Sequence, residues 1–192
     1  MKTLISVILY LGLTINSNFK KNILPYCLVI LKAELIVDGN ISKVSENEYD
    51  FQITEFVKGE SSKTISIEMW KEWTCDRRIK KPIDNQRLIL FLRKVDNGNY
   101  KIINGSTGEL FIEDDNSVKT YTKTDFFPEV QEVKKGIKLF LKAFSYTELP
   151  KEKYISKSYF TKLIKDDEIK AMEIENAFFK STMKRMKYMR VK

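Results

Sequence analysis

Between residues 33 and 118 apolar side chains recur at every second position, in short runs separated by polar or glycine-bearing turns, and this spacing constrains the fold more than any other feature of the chain. Tyr49, Phe51 and Ile53 alternate with Asp50, Gln52 and Thr54, and Ile65 and Ile67 alternate with Ser66 and Glu68. The run Leu88-Ile89-Leu90-Phe91-Leu92 is continuous, which predicts the most buried strand. Gly39 interrupts an apolar segment and predicts a bend or bulge. Lys58-Gly59 predicts a tight reversal, and Asp96-Asn97-Gly98-Asn99 a hairpin turn into a strand at 100–103, with a further short strand at 109–112. Short strands in this number, with a corner glycine in the first, predict a five-stranded OB-like β-barrel over residues 27–118.

Beyond residue 125 the hydrophobic period lengthens to that of a helix. Pro128 suits a first turn, and Val130, Val133, Ile137, Phe140, Leu141 and Phe144 share one face. A break at 145–150, a second helical stretch near 154–163 and a third over 166–188 complete the expectation. The fold class is mainly β with C-terminal helices, two or three amphipathic helices over 125–192 packing on the barrel. Met172, Phe179, Met183 and Met186 form a stripe on the last helix, either a packing face or an adaptable partner face.

The chain of 192 residues contains no histidine, which excludes Ser-His or Cys-His nucleophiles and histidine-ligated zinc. No arrangement of its other residues names a reaction, so no catalytic residue, metal site or cofactor is assigned and the protein is read as non-enzymatic. Residues 1–18 resemble an export signal: Met1-Lys2, an apolar stretch over 3–15, then Asn16-Ser17-Asn18. The expected location is periplasmic or secreted, with an uncleaved amino-terminal membrane anchor or a cytosolic chain as alternatives. An oxidising compartment allows Cys27 and Cys75 to pair; two separate buried thiols are the other reading. The formal charge of +8 resides beyond residue 117, and Lys180, Lys184, Arg185, Lys187, Arg190 and Lys192 are either contacts for an anionic membrane surface or nucleic acid, or simply a basic helix end.

Residues 70–82 are the most unusual stretch of the barrel segment. Trp70, Trp73, Arg77, Arg78, Lys80 and Lys81 form a candidate interaction loop, because tryptophan and arginine anchor interfaces and stack on planar ligands. The alternative places Trp70 in the core and Trp73 over the cysteine, with the charges solvated. The acidic run Glu113-Asp114-Asp115-Asn116 lacks the alternating spacing of a calcium loop and is read as a solvated turn.

Ala33-Glu34-Leu35-Ile36-Val37-Asp38-Gly39, the strand from Phe51 ending in Lys58-Gly59, Ile65-Ser66-Ile67, Cys75 and Leu88-Ile89-Leu90-Phe91-Leu92 occur in an order that resembles the netrin-like domain. This is the OB-fold module of tissue inhibitors of metalloproteinases and of many bacterial exported proteins. The resemblance implies a barrel over about residues 27–115. The inhibitors present a terminal Cys-x-Cys to the protease zinc; Cys27-Leu28-Val29 has one cysteine, so the chelating element is incomplete. The expected function is therefore an exported interaction module with a protein partner. A single-stranded nucleic-acid binder, were the chain cytosolic, and a protease-inhibitor-like protein are the alternatives.

Overall fold

The computed structural model describes residues 23–73, 76–120, 129–148 and 159–186. The alternating segments become strands β1 (Leu35–Val44), β2 (Glu48–Lys58), β3 (Thr64–Glu68), β4 (Arg87–Lys94) and β5 (Tyr100–Ile102). They pair in the order β1-β2-β3-β5-β4, and β4 returns to β1, so the five-stranded barrel is closed. β3 and β5 run parallel, while the other pairs are antiparallel. A 3-10 turn, Gly105–Gly108, leads into β6 (Glu109–Ile112), which pairs with β4 beside β5, and β7 (Val118–Lys119) adds to its edge. The register of β1 against β2 shifts between Asp38 and Gly39, and a Cβ at Gly39 would collide with the Gln52 carbonyl. The corner glycine thus admits the close approach that a bulged barrel strand needs. Gly59 takes a φ of 73°, the left-handed conformation its turn requires.

Period two divides the barrel residues between two cores. Leu35, Val37, Leu88, Leu90 and Leu92 point into the barrel with Phe51, Ile53, Ile67 and Phe111. Ile36, Ile89, Phe91, Leu110 and Ile112 point outward and are covered by helices. The apolar run of β4 is continuous because successive residues serve different cores.

The covering layer consists of α1 (Tyr26–Lys32), α2 (Val130–Ala143), α3 (Asp166–Glu175) and α4 (Ala177–Met186), with a two-stranded hairpin of β8 (Phe144–Thr147) and β9 (Tyr159–Lys162). Several sequence expectations need correction here. The boundary at residue 27 falls inside α1, whose Tyr26, Val29 and Ile30 lie in the outer core, and the Leu24 amide already donates to Asn104 Oδ1 at 2.9 Å. Phe144 begins a strand rather than continuing α2, and Tyr159–Lys162 of the expected second helix is β9. The expected third helix is broken at Asn176, whose side chain accepts from the Phe179 amide and donates to the Glu132 carbonyl, capping α4 while tying it to α2. Pro128 lies outside the described residues. Lys58, read as turn chemistry alone, also donates to the Ile30 and Leu31 carbonyls at 3.2 and 3.0 Å, a cation at the C-terminus of α1. No helix among the described residues is long and apolar enough to cross a membrane.

Candidate interaction loop and the buried charges beneath it

Loop 69–86 joins β3 to β4 over one mouth of the barrel. Its root is set by Glu109, which the inward phase of β6 places inside the barrel two residues before Phe111. Trp70 Nε1 donates to Glu109 Oε2 at 3.0 Å, and Arg78 Nε donates to the same oxygen at 3.2 Å. Arg78 Nη1 also donates to the Trp70 carbonyl, and its guanidinium lies 4.4 Å from the centre of the indole ring. Farther along, Trp73 and Asp76 exchange backbone hydrogen bonds of 3.0 Å. The buried Asp76 carboxylate accepts from both the amide and the hydroxyl of Ser106. Lys80 pairs with Glu113 at 2.7 Å. The loop is thereby anchored on both sides of its tip.

The six expected contact residues separate into two groups. Arg78 turns inward and Trp70 is half-buried, so neither presents its polar group to a partner. Trp73 is 56% exposed, and Lys71, Arg77 and Lys81 around it are exposed without a carboxylate partner among the described residues. Lys80 is exposed but already paired. The tip therefore carries an exposed aromatic with Lys71, Arg77 and Lys81 nearby and the carboxylate of Glu72 beside it, on a base held by internal bonds.

Burial raises the pKa of Glu109, partly opposed by the charge of Arg78 and by the bonds from Trp70 and Arg78. A carboxyl whose folded pKa is raised stabilises the protein most while protonated, and that contribution is lost as pH rises through the folded value. The contribution of Glu109 to stability should therefore fall as pH increases from the ordinary Glu value of 4.5 toward the raised one. Unfolding free energies of the native protein and Glu109→Gln over that interval test this: the variant should lack that part of the slope, and identical profiles would refute it.

A second buried charge group fixes α2 to the barrel. Asp38, 1% exposed, receives Arg87 Nε and Nη2 at 3.0 and 2.8 Å and Lys134 Nζ at 2.9 Å. Lys134 also reaches Glu55 at 2.7 Å, and Glu55 takes Lys138 at 2.8 Å. Burial opposes the charge of Lys134, but the bonds to Glu55 and Asp38 outweigh it and hold its pKa above the ordinary lysine value. Each of these carboxylates is saturated by cations, so the cluster joins elements rather than poising a base.

The methionine stripe packs inward: Met172, Phe179 and Met186 are buried in the outer core and Met183 lies at its margin. Lys180, Lys184 and Arg185 are exposed, while Lys187, Arg190 and Lys192 lie outside the described residues. The acidic run closes a turn, in which the Asn116 amide donates to the Glu113 carbonyl and Asp115 Oδ1 accepts from the Ser117 amide. Among the described residues no cluster of His, Cys, Asp or Glu is arranged to hold a metal ion.

Cys27 is fully buried on α1, and burial pushes its thiol up to about 11. Cys75 lies outside the described residues, and with it the expected pairing. In reduced protein at neutral pH, alkylation of Cys27 should be at least about 100-fold slower than that of an ordinary cysteine of pKa 9.0, from the smaller thiolate fraction alone. Labelling at the ordinary rate while the fold persists would contradict this.

Glu109, Asp38, Glu55 and Lys134 were not singled out as site residues by the sequence reading. Glu109 was recoverable, since the phase of Phe111 puts it on the inward face. Asp38 shares the phase of Ile36, but only the arrival of α2 makes that face an interior. The chain matches no protein-family model, and a comparison with curated proteins gives no match.

Proposed function

We propose that this protein is a non-enzymatic, exported interaction module of the netrin-like type, which contacts a protein partner through the tip of loop 69–86. The observation that carries the reading is Trp73, 56% exposed on a loop whose base is anchored by Glu109, Ser106 and Glu113. A large aromatic held in the open by a rigid base loses little entropy on binding and supplies a central anchor, and the cations of Lys71, Arg77 and Lys81 favour an acidic rim on the partner.

The alternatives fare less well. OB barrels engage nucleic acid on the face of their second and third strands. Here the outward positions of β2 and β3 are Glu48, Asp50, Gln52, Thr54, Thr64, Ser66 and Glu68, a set of carboxylates and neutral groups that repels phosphate. Inhibition of the metalloproteinase-inhibitor kind needs a cysteine at an exposed terminus, whereas Cys27 is buried and Leu24 and Tyr26 before it are bonded and packed into the fold. The Cys27–Cys75 bridge belongs to the proposal. It draws support from Leu24 and Asp76, neighbours of the two cysteines, which bond to Asn104 and Ser106 of one short segment.

The test places a photo-crosslinking amino acid at position 73 and, as a control, at exposed Ser62 on the β2–β3 connection. A discrete protein adduct from position 73 alone, persisting in moderate salt and recovered from the envelope or medium, is expected. Its intact mass should show loss of the amino-terminal segment and no reactive thiol under denaturing conditions. A full-length cytosolic chain with two free thiols, or adducts with nucleic acid, would overturn the reading.

A further inference from the structure

The inside of the barrel is filled by aliphatic and aromatic side chains, yet under loop 69–86 three polar atoms are buried without a hydrogen-bond partner in the protein: Tyr49 Oη, Glu109 Oε1 and Arg78 Nη2. Tyr49 and Glu109 are each 1% exposed, and the Arg78 side chain 6%. They belong to one locality. Burial first, then the charge of Glu109, pushes the Tyr49 hydroxyl well above its ordinary pKa; the charge of Arg78 pulls it down, and the Glu109 carboxylate lies near enough to add to the rise as an acceptor, though no hydrogen bond of good geometry joins the two. Trp70 Nε1 and Arg78 Nε both use Oε2 of Glu109, which leaves Oε1 as the unused acceptor.

We propose that these three atoms form an internal binding site for a single water molecule. The chemistry selects that occupant. A phenol and a guanidinium donate, and a carboxylate oxygen accepts. Water takes the two donated bonds and returns one, making about three bonds as buried waters do. A metal or ammonium ion cannot accept from Tyr49 or Arg78, and an anion would meet the Glu109 carboxylate. Phe51, Ile67, Leu90 and Phe111 fill the lumen with apolar side chains. A direct bond from Tyr49 to Glu109 would still leave Arg78 Nη2 without an acceptor. The bound water joins β2, β6 and the loop, so Tyr49 takes part in seating the loop that carries Trp73.

Two measurements on the full-length protein test the assignment. A crystal structure at a resolution that reveals ordered solvent should place a water peak within hydrogen-bonding distance of all three atoms. No peak, with Tyr49 bonded directly to Glu109, would overturn it. The sign of the stability change in Tyr49→Phe is the second. Where the hydroxyl is bonded to water, its removal loses a hydrogen bond, and the melting temperature should fall by about 1–4 °C. Where the hydroxyl is buried and unbonded, its removal relieves a penalty and the melting temperature should rise, which refutes the site. Because the substitution deletes one atom and keeps the ring, it preserves the packing on which both readings depend.

Discussion

Asp38→Ala should destabilise the protein by about 3–5 kcal/mol, the loss typical when one member of a buried ionic group is removed and its partners stay behind. Asp38 is the shared acceptor for Arg87 on β4 and for Lys134 on α2. Without it Lys134, whose side chain is 4% exposed, keeps only Glu55, itself shared with Lys138. The cost arises from a buried cation that has lost half its compensation, not from the small volume of the missing carboxylate. Lys134→Met separates the two causes: it removes the buried cation, leaves Asp38 with both bonds from Arg87 and leaves Glu55 with Lys138, so its effect should be much smaller. Urea unfolding of both variants reads this directly, with an unchanged slope showing that stability rather than compactness has moved. Equal losses would mean that the site acts through packing alone.

Phe178→Ala should cost about 3–5 kcal/mol, as truncation of a fully enclosed phenylalanine does. Phe178 is 0% exposed, its ring centre lies 5.6 Å from that of Tyr26 on α1, and it abuts α2 at Gly136, where a Cβ would crowd it. The variant tests whether barrel and helices unfold as one unit. Both tryptophans of the chain lie on the loop over the barrel mouth, so their fluorescence reports the barrel, whereas far-ultraviolet circular dichroism reports chiefly the helices. Because α4 and α1 share a core with Ile89 and Phe91 of β4, the two signals should shift together. A tryptophan transition left in place while the helical one falls would show that the extension is a separate cooperative unit.

The same outer core marks the limit of what alternation reveals. The phase of Tyr49, Phe51 and Ile53 predicts which side of β2 is buried, because a strand with one polar face has one choice. In β4 both faces are apolar, so the run announces burial without saying that Leu88, Leu90 and Leu92 enter the barrel while Ile89 and Phe91 lie beneath helices. Helical period likewise identified the face of α2, yet it could not say that Lys134 on that face would be enclosed by Asp38 and Glu55. In residues 159–162 two aromatics among polar residues fit helix and strand equally, and pairing with β8 decided for strand. The candidate loop shows the same division. Its composition pointed to tryptophan and arginine, but their separation into an inward pair, Trp70 and Arg78, and an outward group around Trp73 follows from a carboxylate more than thirty positions downstream of Arg78.

Local sequence therefore determined the elements: the strand phases, the bulge at Gly39, the left-handed turn at Gly59 and the apolar face of α2. Each depends on side-chain periodicity or on backbone conformations set within a few residues. Tertiary structure alone decided the charges and the exposure: which ions are enclosed, which tryptophan is anchored and which is displayed. Those properties depend on the dielectric surroundings and the partners of a group, and distant segments supply both.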